Sequence, residues 1–221
     1  MNAAAFLLAD GRFPAGGHAH SGGLEAAASA GTVHDLVTLE LFLRGRLRTT
    51  GLVTAALAAA ALAAARASGH PGAWAELDAE ADARTPSPAQ RETSRRQGRA
   101  LLRAARVAWP QASQLRELGC AGQPPHHAIA LGATAAAAGC TGHDAARIAA
   151  YQSVTGTASA AVRLLSLDPL QVSGLLARLA AEISAMAERA SSSPELPCAA
   201  APVLDLLAET HARAEVRLFA S

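Results

Sequence analysis

The chain has 221 residues, with 19 basic against 18 acidic side chains, and every basic residue is Arg. Without Lys there is no Walker-A phosphate loop and no Schiff-base or Lys general-base chemistry. A formal charge of +1 gives no basic footprint for nucleic acid. The length predicts one domain that buries its core without staples.

Cys120, Cys140 and Cys198 are odd in number and widely spaced, which predicts neither a disulfide framework nor a thiolate metal site. Asp10 and Arg12 interrupt the N-terminal apolar run, so no signal peptide is expected. The longest apolar stretch, Leu52 to Ala65, is mostly Ala and shorter than the roughly 20 residues a bilayer needs. A cytoplasmic location without membrane association is the expectation.

More than a quarter of the residues are Ala, which favours helix because Ala loses no side-chain entropy there. In chain order, Thr32 and Asp35 resemble a capping-box start for a helix carrying Leu36, Leu39, Leu43 and Leu47. That helix runs through the Ala-rich stretch to the break at Gly69-His70-Pro71-Gly72. A short helix follows from Trp74 to about Arg84. Ser87 and Pro88 read as N-cap and first position of the next, which stops before Trp109-Pro110. Beyond Gln123-Pro124-Pro125, His126 to Ala138 is helical and ends at Gly139. Thr141 and Asp144 cap a further helix, in which Gly156 costs about 1 kcal/mol against Ala and suggests close backbone packing. Asp168-Pro169 opens a helix to about Ala190. Residues 191–201 are Ser/Pro/Ala-rich and read as a mobile linker. A last helix carries Val203, Leu206 and Leu207 into a tail ending Arg217-Leu218-Phe219. No segment alternates with the period of a strand. The fold class expected is all-α, a single-domain bundle of roughly eight to ten helices.

Arg91, Arg95, Arg99, Arg103 and Arg106 recur at helical spacing and share one face. Such a face is usually solvated. A nucleic-acid-binding regulator using the Arg91–Arg106 face is an alternative, although no aromatic platform accompanies it.

The segment Pro14-Ala15-Gly16-Gly17-His18-Ala19-His20-Ser21-Gly22-Gly23-Leu24-Glu25 is unlike the rest. Its glycines cannot sit in a regular helix, and a helical chain keeps such a loop for tight packing or for contact with something else. Three chemistries compete for it. His18 and His20 supply two metal ligands, and a third from His126, His127 or His143 is not fixed by spacing. Ala19-His20-Ser21-Gly22-Gly23 approximates a nucleophile elbow, giving a serine esterase at Ser21, but the elbow needs a preceding strand and Phe6 to Asp10 is helix-like. Glycine amides at a helix start near Leu24 can hold an anion. Glu25 falls in the first turn of that helix, where the dipole favours a carboxylate. No catalytic residue is assigned.

Leu7, Leu8, Asp10, Pro14, Gly16, Gly17, Ser21, Gly23, Leu24 and Glu25 together resemble the N-terminal signature of the UreF family. Ser94, Gln97 and Gly98 resemble its Ser-x-x-Gln-Gly helix, and Tyr151, Gly156, Ala160, Arg163 and Leu164 its later helix. His211 with Arg217-Leu218-Phe219 resembles its ending. His18 replaces the usual Phe or Tyr, and Leu167-Asp168-Pro169 replaces a Gly-Gln continuation, as in an actinobacterial branch. The resemblance implies a non-enzymatic urease accessory protein, homodimeric within its complex, that serves as a nickel-insertion chaperone. It implies that the chain scaffolds the UreG GTPase and UreH (UreD) on apo-urease and regulates GTP-dependent nickel delivery. No cofactor is bound tightly: nickel is handled by the complex and GTP by the partner. Pro14, Gly16, Gly17, His18, Ser21, Gly23, Glu25, Arg163, Arg217 and Phe219 become the candidate partner-binding residues. Residues 202–221 become a partner-docking helix and tail. No stable metal site is implied, and His18 and His20 are nickel-transit candidates only, since two imidazoles suit nickel without trapping it.

Overall fold

A computed structural model describes residues 3–15, 20–67, 72–120, 122–215 and 217–219. Alanine-rich segments bounded by caps produce helices throughout: α1 (Ala3–Ala9), α2 (Leu24–Ser29), α3 (Leu36–Arg46), α4 (Leu52–Arg66), α5 (Ala73–Ala83), α6 (Pro88–Ala108), α7 (Ser113–Gly119), α8 (His127–Ala137), α9 (Gly142–Leu164), α10 (Pro169–Ser192) and α11 (Pro202–Ala212). A π-helical turn, Leu47–Gly51, joins α3 to α4 into one run of 31 residues. The expected all-α class stands, and the described residues contain no strand.

The caps follow the sequence with one shift. Asp35 and Thr38 form the box that opens α3, while Thr32 donates its hydroxyl back to the Ala27 carbonyl instead. Ser87, the Thr141–Asp144 box and Asp168 cap α6, α9 and α10 as expected. Helix α10 extends to Ser192, into the segment read as linker. The irregular stretch after it is tied down where Arg84 donates to the carbonyls of Leu196 and Pro197.

Helix α4 is the central element, packed by α8, α9 and α10. The Leu36–Arg66 run is apolar enough by length and composition to cross a membrane. One face of the run lies inside the fold: Leu39, Leu43, Leu47, Leu52, Ala55, Ala58 and Leu62 are all buried. On one side of α4 the larger core gathers residues of α1, α2, α9 and α10, together with Phe219 from the tail. On the other, Val53, Leu57 and Ala61 meet Ala81, Leu102, Leu115 and Ile129.

Small residues set this packing. A Cβ on Gly132 of α8 would collide with the Ala58 carbonyl and the Ala61 side chain of α4, and one on Gly98 of α6 would strike the Pro125 carbonyl. Gly156 was expected to be the close-packing glycine and is not: a Cβ there would meet nothing within 4 Å. It lines a cavity instead.

Candidate functional site

Four sequence-distant candidates converge where α2, α9, α11 and the C-terminal tail meet. Gly22 and Gly23, with φ of +65° and +89°, turn the chain into α2 through backbone conformations that L side chains rarely adopt. Ser21 is fully buried, and its Oγ accepts the Glu25 amide at 3.2 Å. Glu25 is itself buried and accepts from His211 Nε2 at 2.9 Å, from the Leu218 amide at 2.7 Å and from the Phe219 amide at 3.0 Å. Burial works against its charge, but the donors from Leu218, His211 and Phe219 outweigh that and hold its carboxyl below the usual range. Phe219 is buried under the guanidinium of Arg163, which lies 4.5 Å from the ring centroid. The carboxylate thus gathers the C-terminal tail onto the start of α2.

Arg217 and Leu218 of the same tail remain exposed, and Arg217 borders the cavity. Pro14 is exposed, whereas Gly23 packs near Leu204 of α11. Gly16, Gly17 and His18 lie outside the described residues. Helix α11 is fixed independently of the tail: Glu209 accepts from Ser87 Oγ and the Ala89 amide, and Gln90 donates to the Leu204 carbonyl.

A cavity of about 1300 Å³ opens beside this junction. Its wall includes His20, His127, Arg96 and Arg163. Burial and the charge of Arg96 lower the His20 pKa to about 4, and burial and His20 lower that of His127 to about 4. Both imidazoles are therefore neutral near pH 7, the form that binds metal. Among the described residues the three-residue cluster of ligand type is Asp78, Asp82 and His126. Arg95 already occupies it, bonding Asp78 at 2.7 Å and Asp82 at 2.9 Å, while His126 donates to Asp82 at 2.9 Å and meets Ser94 Oγ at 3.0 Å. Ser94 Oγ also accepts the His127 amide. This network fastens α5 and α6 to the start of α8, and Arg95 supplies the positive charge a cation would bring.

Two alternatives lose their geometry. An esterase at Ser21 needs an exposed hydroxyl after a strand; here Ser21 is buried, the element described before it is the helix α1, and its oxygen serves the Glu25 amide. The Arg91–Arg106 face is divided. Arg95 is locked between aspartates, Arg91 and Arg106 donate to main-chain carbonyls, and Arg99, Arg103 and Arg106 remain exposed. Three exposed arginines are a small basic surface for a nucleic-acid backbone.

The sequence reading missed Arg46. The signal was available, because Arg46 stands three residues after Leu43 and seven after Leu39 and so shares their core-facing side.

The fold is an all-helical scaffold in which Ser21 and Glu25 of the glycine-rich loop and the helix after it are engaged in holding the chain's own tail. The UreF family model matches residues 33–180. "Urease accessory protein UreF" of Mycolicibacterium vanbaalenii is 44% identical over 97% of this chain and 96% of the relative. The protein of the same description from Mycobacterium marinum is 45% identical over the same shares, and that from Mycobacterium tuberculosis 42%. The chain belongs to the UreF family, on its actinobacterial branch.

Proposed function

We propose that this chain is a non-enzymatic scaffold for urease maturation. In this reading it holds the UreG GTPase and UreH (UreD) on apo-urease and regulates GTP-dependent delivery of nickel in the cytoplasm. The chain is a homodimer within that complex. Nickel is the cargo of the complex, and GTP is bound by the partner, which supplies the phosphate-binding Lys that this chain lacks.

The observation that carries the reading is the near end-to-end match to proteins described as urease accessory proteins. The surface supports it. Val37 and Leu41 on α3 and Val203 and Leu206 on α11 are each more than three-fifths exposed. Between those helices lies an apolar groove of about 390 Å³. Contiguous exposed apolar surface of this kind suits a protein partner. Arg217 and Leu218, exposed beside the Glu25 junction, are the tail side chains that this reading gives to docking.

Co-expression with UreG and UreH followed by size exclusion tests the proposal. One co-eluting species is expected, and separate elution under every nucleotide condition sinks it. For His18 and His20, replacing both with Ala is expected to reduce urease activation at limiting nickel; unchanged activation removes them from the nickel route.

A further inference from the structure

Arg46 ends α3 at the π-helical turn, a widened turn of a kind frequent at functional sites. Its Nε donates to the Ser153 carbonyl and its Nη1 to the Gly22 carbonyl, each at 2.8 Å. Carbonyls orient a guanidinium without neutralising it. Every Asp and Glu of the chain lies within the described residues, and none pairs with Arg46. Its neighbours on the same helical run differ: Arg44 pairs with Glu40 and Glu182, and Arg48 pairs with Glu182. Burial accordingly pushes the Arg46 pKa down to about 10, the direction expected of a cation with no counter-charge.

The surroundings are built for an anion. Thr157 of α9 is 3% exposed, and its hydroxyl has no hydrogen-bond partner among the described residues. Thr157 Oγ1 and Arg46 Cζ both converge on the side of Gly22 from which a side chain would project, at 2.7 and 2.8 Å from an ideal Cβ position. That side of Gly22 is filled by Thr157 Oγ1 and the Arg46 guanidinium, and both residues border the large cavity. Seven arginines and three carboxylates line that cavity, although the whole chain carries only +1. Of the three carboxylates, Asp10 is already paired with Arg12. Arg46 is half-buried with no carboxylate partner, and the Thr157 hydroxyl reaches the same cavity wall. One oxyanion there can accept from both, and a charge-assisted hydrogen bond is the stronger kind.

We propose that Arg46 and Thr157 form an oxyanion site beside Gly22, in which a carboxylate or phosphate oxygen accepts from the guanidinium and from the threonine hydroxyl. The proposal is independent of the urease reading. The ligand oxygen comes either from a small free anion or from an acidic side chain of a partner, and the probes separate these sources.

The test is calorimetric titration of the full chain with inorganic phosphate, citrate and a hexaglutamate peptide at constant ionic strength. It is repeated on Arg46→Gln and Thr157→Val. Binding of at least one probe is expected, with loss in Arg46→Gln and about tenfold weakening in Thr157→Val, the effect of one lost hydrogen bond. Binding of phosphate or citrate identifies a free anion; binding of the peptide alone identifies an acidic partner side chain. No binding of any probe, or equal affinity in wild type and Thr157→Val, overturns the proposal. Should Arg46→Gln fail to fold, the Arg46 side-chain Nε–H resonance of the wild-type protein, assigned through Arg46→Lys, must move on titration. A stationary resonance overturns the site equally.

Discussion

The contact between α4 and α8 and the junction of α2 with the C-terminal tail are held by opposite means. At the first, Gly132 lets two helices approach until its Cα faces the Ala58 carbonyl, and the flanking residues Ala128 to Ala135 are all buried. Nothing there hydrogen-bonds across the contact, and its free energy comes from close packing and apolar burial. At the second, one carboxylate collects three donors and one guanidinium covers one ring. Packing by fit has no substitute within the chain. A tail held by a few polar contacts and one buried ring can open locally while the helices stay packed, because stability is not uniform across a fold. The difference makes the first region the more rigid and the second the more easily opened.

Gly132→Val breaks the first region and gives the largest expected effect. Its branched side chain enters the Ala58 backbone, which cannot move aside. A loss of roughly 3 kcal/mol or more is expected, read by urea unfolding, together with accelerated exchange throughout both core clusters. Glu25→Ala breaks the second region. It removes the acceptor for His211, Leu218 and Phe219 and costs roughly 2 kcal/mol. The loss is expected to be local: amide exchange and proteolysis of residues 217–219 increase while α4 and α8 keep their protection. Global destabilisation equal to that of Gly132→Val would erase the distinction between the two regions.

The two regions were also unequally legible. Helix boundaries near Ser87, Thr141 and Asp168 were readable because capping depends on neighbours in sequence. The close contact at Gly132 was not, because whether a glycine meets a backbone depends on the opposing helix; Gly156 had the same local signature and faces open space. At the tail junction, Ser21, Glu25, Arg163 and Phe219 were singled out by family resemblance, but their mutual contact spans almost the whole chain and no spacing encodes it. Arg46 was hidden for a different reason. An arginine among arginines in a Leu-rich helix reads as a solvated charge until Glu40 and Glu182 are seen to serve Arg44, Arg48 and Arg178 but not Arg46.

Acid sharpens the comparison, since the Ala58–Gly132 contact contains no titratable group. His20 and His127 have folded pKa values of about 4 against an ordinary 6.5. Between those values the unfolded chain binds more protons, so stability rises with pH across that window and is lost as pH falls from 6.5 toward 4. Allowing for partial exposure, roughly 1 kcal/mol per histidine is expected between pH 7 and 5. Glu25 adds a loss at lower pH: its depressed carboxyl stabilises the fold above the ordinary carboxylate range, and the contribution fades as pH falls through its folded value. Thermal unfolding followed from pH 7 to 4, with His20→Gln and His127→Gln each removing part of the slope, checks the assignment. An unchanged slope in the double variant refutes it.

The smallest expected effect concerns Arg163, whose guanidinium lies 4.5 Å from the Phe219 ring centroid. Arg163 is exposed, and cation–π contacts at such positions contribute about 0.5 to 1 kcal/mol. Arg163→Gln keeps a polar side chain but removes the charge over the ring. Phe219 amide protection is then expected to fall roughly threefold, as about 0.6 kcal/mol requires, with Leu218 following and α9 unaffected. Arg163→Lys retains a cation without the planar face that stacks on an aromatic ring, so an intermediate value is expected. Equal protection in all three proteins would mean that Glu25 and the burial of Phe219 hold the tail without the guanidinium.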